Sequence, residues 1–386
     1  MALSLPLSTA TVRLRAIDAK MSLCASSTAF IQPALPGFET MNMTSITFLI
    51  EHPTLNKKLL FDCGARSDIE NFSPRIKERL NLNVKGLKID ADVHDVVQAA
   101  GVDLNELDAT IWSHWHWDHH GAPEKYPSRC EIVVGPGFKE NFMPGYPADP
   151  NGIFLESNFA TRNVREIQFQ DTFKIGSFRA HDYFGDGSFY LLDTPGHATG
   201  HMCGLARTTP TTFVFLGADI CHFGGSFRPS SSIPLPDPVP NSHLDTHFPT
   251  PCPCSIFTIS HPSGPSSPSS TTTKFFEITS HSSTVYLDRN QAATSIQELQ
   301  RFDEHPDVLV CIAHDTTLVK VLPFLNDEPE RDLNRWKEEE LKEKAHWGWL
   351  NELPREGRKG RETLVQGVWR GGERVEDFTR LESTIY

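Results

Sequence analysis

The stretch Ser113-His114-Trp115-His116-Trp117-Asp118-His119-His120-Gly121 constrains this chain more than any other. It follows directly on residues 109–113 (ATIWS), which read as a strand, and it carries imidazoles and a carboxylate at H-x-H-x-D-H spacing. A lone histidine is more often structural than a ligand, but four potential ligands packed this closely are a different matter. Side chains two apart on an extended segment point the same way, so His114 and His116 can reach one metal ion. Asp118 and His119, on the turn that follows, can reach a second. Imidazole with carboxylate suits zinc, and catalytic zinc sites keep a position open for water.

Three further pieces come in the order such a site needs. Asp193-Thr194-Pro195-Gly196-His197 closes a strand with a turn that presents His197. Phe215-Leu216-Gly217-Ala218-Asp219 ends another strand on a carboxylate able to bridge two metals, and Val310-Cys311-Ile312-Ala313-His314-Asp315 ends a third on a histidine. Each alone is weak. Together they supply two metal ions with seven protein ligands: His114, His116, Asp118, His119, His197, Asp219 and His314. His281 and His305 compete with His314, but only His314 follows a continuous apolar strand.

Composition narrows the field. With 36 Lys+Arg against 49 Asp+Glu, the net charge is −13. A phosphate backbone is gripped mainly by Lys and Arg, so no nucleic-acid partner is expected. No run of about 18 apolar residues is present, so no membrane span is expected. The apolar start, residues 1–7, lacks the basic residues of a secretory signal. The eight cysteines are scattered and not clustered as in a disulfide scaffold, which points to reduced thiols in a cytoplasmic protein.

The first half reads as strands joined by short turns, at 11–17, 45–51, 58–62 and 131–134, with a helix at 92–100. Further strands follow at 179–183, 188–193, 202–207 and 212–217. Helices are expected at 291–302 and 331–344. Residues 229–272 hold 11 Pro, 11 Ser and 5 Thr in 44 positions. That composition buries too little apolar area to offset ordering entropy, which predicts a long loop or partly disordered insertion, either a flap beside the site or a tolerated surface excursion. The expected organisation is a catalytic domain over 11–324 carrying this insertion, then a helical, charged extension over 325–386 packed on it by Trp347, Trp349 and Trp369.

The H-x-H-x-D-H element, the P-G-H, the G-A-D and the A-H-D turn together resemble the metallo-β-lactamase superfamily, and within it the dinuclear-zinc lactonase branch. Leu59-Leu60-Phe61-Asp62-Cys63-Gly64 resembles the family's early strand ending in Asp. The resemblance implies an α+β fold, an αββα sandwich of two mixed sheets flanked by helices. It further implies that His114, His116 and His197 hold one zinc, that Asp118, His119 and His314 hold the other, that Asp219 bridges them, and that Asp62 orients a liganding histidine from behind. Motif contexts resemble fungal members, which include lactamase-like enzymes opening cyclic defence compounds such as benzoxazolinones. One departure concerns position 222. Lactonases of this type carry a Tyr three residues after the bridging Asp, where it meets the substrate carbonyl; here stands His222, which could donate a hydrogen bond in that role or fill space.

The expected activity is zinc-dependent opening of a cyclic ester or cyclic amide or carbamate, with Asp118 as a proton shuttle or a ligand only. The expected partner is a small molecule with a cyclic carbonyl, taken by a monomer or homodimer. A thioesterase on the same fold would use the same ligands. A mononuclear iron oxygenase needs fewer, and a non-catalytic binding protein usually loses some. Trp115 and Trp117 either wall the pocket or pack on the sheet, and residues 136–150, with Phe138, Phe142, Met143 and Tyr146, form either a substrate lid or an ordinary packed loop.

Overall fold

Alternation along the strands sorts apolar side chains into separate layers. In Lys57–Phe61, Leu59 and Phe61 join one buried cluster while Leu60 joins another. In Phe213–Ala218, Val214 and Leu216 face the first cluster, and Phe213 and Phe215 face away. A period of two with both faces buried requires each sheet to be covered on both sides. The computed structural model, which describes residues 3–376, meets that requirement. Residues 1–2 of the apolar start and 377–386 of the C-terminal extension lie outside the described residues.

The first six-stranded sheet runs Arg13–Asp18, Ile46–His52, Lys57–Phe61, Ala109–Ile111, Glu131–Val134 and Val164–Glu166. The second runs Lys174–Ile175, Phe178–Asp182, Phe189–Asp193, Met202–Arg207, Phe213–Ala218 and Val308–Ile312. Both are mixed, with parallel and antiparallel neighbours. Their facing sides share one core containing Leu14, Phe48, Phe61 and Ile111 from one sheet and Leu191, Met202, Leu216 and Cys311 from the other. Helix Val93–Ala99 covers the outer face of the first sheet through Val93, Val96 and Val97. Helix Arg289–Glu304 covers the second through Ile296, Leu299 and Phe302, its N-terminus capped by Asp288, which accepts from the amides of Asn290 and Gln291. This is the expected αββα sandwich.

Lys57–Phe61, Ala109–Ile111 and Glu131–Val134 run parallel, as do Phe213–Ala218 and Val308–Ile312. Their C-terminal ends carry Asp62, the His114–His119 turn, Asp219 and His314.

The periphery departs from expectation. The charge spacing over 331–344 predicts a helix, but α-helix forms only at Leu341–Ala345. The Leu333 amide donates to the Leu14 carbonyl, and the Asn334 side chain pairs with Val12 and Leu14. Edge contacts to the first strand thus take the place of helical ones, and Trp336 is fully buried there. A five-stranded sheet not foreseen in the sequence joins Thr40–Met43, Met21–Ser26, Val84–Ile89, Gly367–Arg370 and Glu373–Val375, so the C-terminal segment supplies strands as well as helix. Trp347 and Trp349 pack in its core, whereas Trp369 is 37% exposed. Residues 229–272 form a long loop, as their composition predicts, with three short helical turns at Asn241–His243, Ser255–Thr258 and Pro268–Thr271. The loop is anchored: Leu235, Val239, Phe248, Cys252 and Phe257 are buried in the same cluster as Trp349.

A buried ion pair ties these outer parts to the sandwich. The Arg228 guanidinium donates to both carboxylate oxygens of Asp303 at 2.6 and 2.9 Å. The Lys342 ammonium donates to the carbonyls of Asp303, His305 and Val308. Burial pushes the Asp303 carboxyl up, but Arg228, with His346 and Lys342, outweighs it and holds the group down at about 2. An unfolded carboxyl titrates near about 3.9. The folded value is the lower one, so the pair's stabilisation is present above about pH 4 and fades as pH falls toward 2. Asp303→Asn is expected to cost about 3–5 kcal/mol at neutral pH by leaving Arg228 unpaired. Urea melts of both proteins from pH 7 to 3 check this: the gap between them should narrow below pH 4.

Candidate metal centre

Asp62 ends its strand at φ 61°, a left-handed conformation that Asp tolerates better than most residues. Its amide donates to the Ile111 carbonyl, and its side chain turns inward. Oδ1 accepts from the Ser113 amide at 2.7 Å; Oδ2 accepts from the Ser113 hydroxyl at 2.9 Å and from His119 Nδ1 at 2.9 Å. One buried carboxylate thus fixes both ends of the His-rich turn. Gly121 closes the turn at φ 58°, where a Cβ would come within 2.6 Å of the Cys63 carbonyl oxygen, so only glycine fits. Gly196 plays the matching part before His197: a Cβ there would strike the Ala292 amide at 2.1 Å, at the start of helix Arg289–Glu304.

Seven side chains converge on the space between the sheets' ends. His114 Nε2, His116 Nδ1 and His197 Nε2 form a triangle with edges of 2.8, 2.9 and 3.2 Å. Asp219 Oδ2 lies 3.6 Å from His114 Nε2 and 3.4 Å from His197 Nε2. Its other oxygen, Oδ1, faces His119 Nε2 at 3.1 Å and His314 Nε2 at 3.0 Å. Asp118 Oδ2 completes the second group, 3.6 Å from His314 Nε2 and 3.9 Å from His119 Nε2. The ligand atoms within each group, His114/His116/His197/Asp219 and Asp118/His119/His314, all lie within 4.8 Å of one another. All seven residues are buried except His116, which is half-buried.

The chemistry of these atoms fits a metal ion. His314 Nδ1 is 2.6 Å from the Thr44 carbonyl, which only accepts, so the ring proton sits there and the Nε2 lone pair faces Asp219. His119 is set the same way by Asp62. Among the described residues neither His119 Nε2 nor Asp219 Oδ1 makes a hydrogen bond, although both are buried and 3.1 Å apart. A lone pair facing a carboxylate oxygen at that range repels it unless a cation stands between them. In the first group the triangle is near the edge of about 3.3 Å that a tetrahedral site with metal–nitrogen bonds of about 2.0–2.1 Å requires.

Electrostatics separates the two halves. Burial, together with the neighbouring imidazoles, holds His114 and His116 well below the ordinary histidine range, leaving neutral rings able to ligate. Burial also opposes charge on His119, yet Asp219, Asp62 and Asp118 outweigh it and push that histidine well above its usual value. The second group therefore has the stronger demand for positive charge.

His222 lies at the edge of the site, with Nε2 3.1 Å from Asp219 Oδ2 and Nδ1 2.9 Å from the Tyr286 hydroxyl. Tyr286 was not foreseen from the sequence, because no motif surrounds it in the irregular stretch before helix Arg289–Glu304. Ser113 and Thr44, which orient His114 and His314, carry no motif signal of their own either. His305 and His281 stay outside: the first accepts from the Asp307 amide, and the second pairs with Ser283. Trp117 meets Phe72 edge-on at 6.0 Å, and Trp115 leans on Phe142 at 5.4 Å beside the His116 ring. Residues 136–150 form a short helix, Phe138–Phe142, with Phe138 fully buried and Phe142 resting on Phe154.

The metallo-beta-lactamase superfamily matches residues 44–214. A metallo-hydrolase of Annulohypoxylon moriforme is 36% identical over 358 residues, covering 91% of this chain and 90% of its own length. The chain belongs to the metallo-beta-lactamase superfamily. A gamma-lactamase of Fusarium pseudograminearum is 37% identical over 365 residues, covering 90% of this chain and 84% of its own. The solved structure of a quorum-quenching N-acyl homoserine lactone hydrolase has the same fold, with a TM-score of 0.52 at 16% identity over 82% of this chain and 98% of that one. As a member of the superfamily the chain is a hydrolase of the metallo-beta-lactamase fold with a metal cofactor. The superfamily match stops at residue 214, before Asp219 and His314, which the fold nevertheless brings to the same site.

Asp62→Ala removes the carboxylate behind His119 and Ser113. We expect metal affinity to fall roughly 10–100-fold, the usual effect of losing a group that orients a ligand. Zinc content after graded chelation, measured beside the wild type, checks it.

Proposed function

We propose that this chain is a dinuclear zinc hydrolase that opens a cyclic ester, or a cyclic amide or carbamate, by addition of one water. The observation that carries the reading is the placement of Asp219: each of its oxygens faces a different group of histidines, which is the geometry a single carboxylate bridging two metal positions requires. Support for the substrate class comes from the gamma-lactamase relative at 37% identity.

On this reading His114, His116 and His197 hold one zinc, Asp118, His119 and His314 hold the other, and Asp219 bridges. Bound zinc supplies Lewis acidity toward water and toward a carbonyl oxygen. The chain's own contribution is orientation and exclusion of water. Ser113, Asp62 and Thr44 hold the imidazoles in fixed tautomers, so little rearrangement is needed during turnover. Asp118 carries a proton to the departing alkoxide or nitrogen. The half-buried side of the site, at Trp115, His116 and Trp117, is where a small ring enters. A xenobiotic or plant defence compound such as a benzoxazolinone is the proposed physiological substrate.

We place the catalytic domain at 11–324 with the 229–272 insertion, followed by the extension 325–386. No helix among the described residues is long and apolar enough to cross a membrane, and none of the eight cysteines is in a disulfide. A cytoplasmic location and a monomeric or homodimeric state complete the proposal.

The test is incubation of zinc-loaded protein with N-acyl homoserine lactones, a benzoxazolinone, a β-lactam and an acyl thioester, read by mass spectrometry for a gain of one water. Ring opening of a lactone or lactam is the expected outcome; turnover of the thioester alone would replace this reading with a thioesterase. Asp219→Ala should abolish turnover and lower bound zinc. Two retained equivalents of zinc with full activity would remove Asp219 from its bridging place.

A further inference from the structure

Five nitrogens surround the two metal positions, and a sixth, His222 Nε2, is of another kind. His114, His116 and His197 form the closed triangle, and His119 and His314 face Asp219 Oδ1. His222 Nε2 approaches Oδ2 from outside the triangle, at hydrogen-bond distance. A carboxylate oxygen has two lone pairs, so Oδ2 can face the triangle with one and accept a proton with the other. An accepting carboxylate requires the proton of His222 to sit on Nε2. Nδ1 is then an acceptor, and its partner is the Tyr286 hydroxyl at 2.9 Å.

We infer that Tyr286 and His222 are a positioning pair for Asp219: the phenol donates to Nδ1, which holds the proton on Nε2, and Nε2–H grips Oδ2. The inference rests on the dinuclear reading above and assigns His222 to the carboxylate, not to the substrate carbonyl. The packing supports a fixed ring. His222 is buried, stacked on His314 at 5.5 Å with 16° between planes, with Phe30 against it at 4.7 Å and Tyr286 meeting it edge-on. Tyr286 is itself buried, and its segment is pinned by Val285, whose amide donates to the Ala29 carbonyl, and by Leu287, whose amide donates to that of His197. The groups facing His222 are thus Asp219, Tyr286, His314, His197 and Phe30. Ala218, immediately before Asp219, is held at φ 43°, a left-handed conformation that alanine adopts only at a cost.

The test uses full-length, zinc-loaded protein labelled with ¹⁵N-histidine. Long-range proton–nitrogen spectra should show His222 protonated at Nε2 in the wild type, and a mixture of tautomers in Tyr286→Phe, which removes only the hydroxyl. A ring protonated at Nδ1 overturns the inference, since Nε2 would then have no proton to give and would be a metal ligand instead. In chelator competition, His222→Phe should lower zinc affinity roughly tenfold or more, while His222→Gln, whose amide can still donate, should keep it. Equal affinity in all three proteins, with His222→Phe folded by thermal unfolding, also overturns it. A wild type that binds no zinc overturns the dinuclear reading itself; a wild type that binds two while the variants match it overturns only the positioning pair.

Discussion

A carboxylate that is 2% exposed and ringed by imidazoles is expensive to bury unless cations accompany it. Asp219 is that group, and the rest of the architecture can be read as its consequence. Each of its oxygens faces one imidazole from either sheet, Oδ2 meeting His114 and His197 and Oδ1 meeting His119 and His314, so the surrounding groups arrive from both sheets. Two sheets stacked face to face with parallel strands ending together deliver those side chains to one place without any long element crossing the core. Asp62 then stabilises from behind what Asp219 organises in front.

The central fold was legible because both of its signals are short-range. Strands buried on each face read as near-continuous apolar runs, and the proposed metal residues stand within a few positions of the strand ends, so chain order alone brings out His114 through His119, His197, Asp219 and His314. His305 and His281 were separable from His314 for the same reason. What escaped was whatever depends on partners far away in sequence. Tyr286 owes its place at the site to backbone pairing with residues 29 and 197. The five-stranded sheet assembles strands from residues 21, 40, 84, 367 and 373, each too short and too mixed to announce itself. At 331–344 local helix preference was overridden by backbone pairing to the first strand.

The peripheral segments are more than covering. The irregular stretch 229–272 lacks the apolar content to fold alone, yet its few apolar side chains find a core built from the N-terminal strands and the Trp347–Trp349 region. Arg228, Asp303 and Lys342 stitch that arrangement to the end of the long helix and to the last strand of the second sheet. Because Val308–Ile312 leads straight to His314, the position of a proposed ligand is coupled to contacts made well outside the site.

His116 is the one half-open member of an otherwise sealed set. On the dinuclear proposal that asymmetry bears on exchange kinetics, since an ion held by the first group would lie beside a half-buried ligand and one held by Asp118, His119 and His314 beside buried ligands only. The two positions should then empty at different speeds under a chelator, and brief stripping followed by refilling with another divalent metal would give a mixed-metal protein. A spectroscopically silent ion in one place and a visible one in the other would allow each half of the centre to be observed separately.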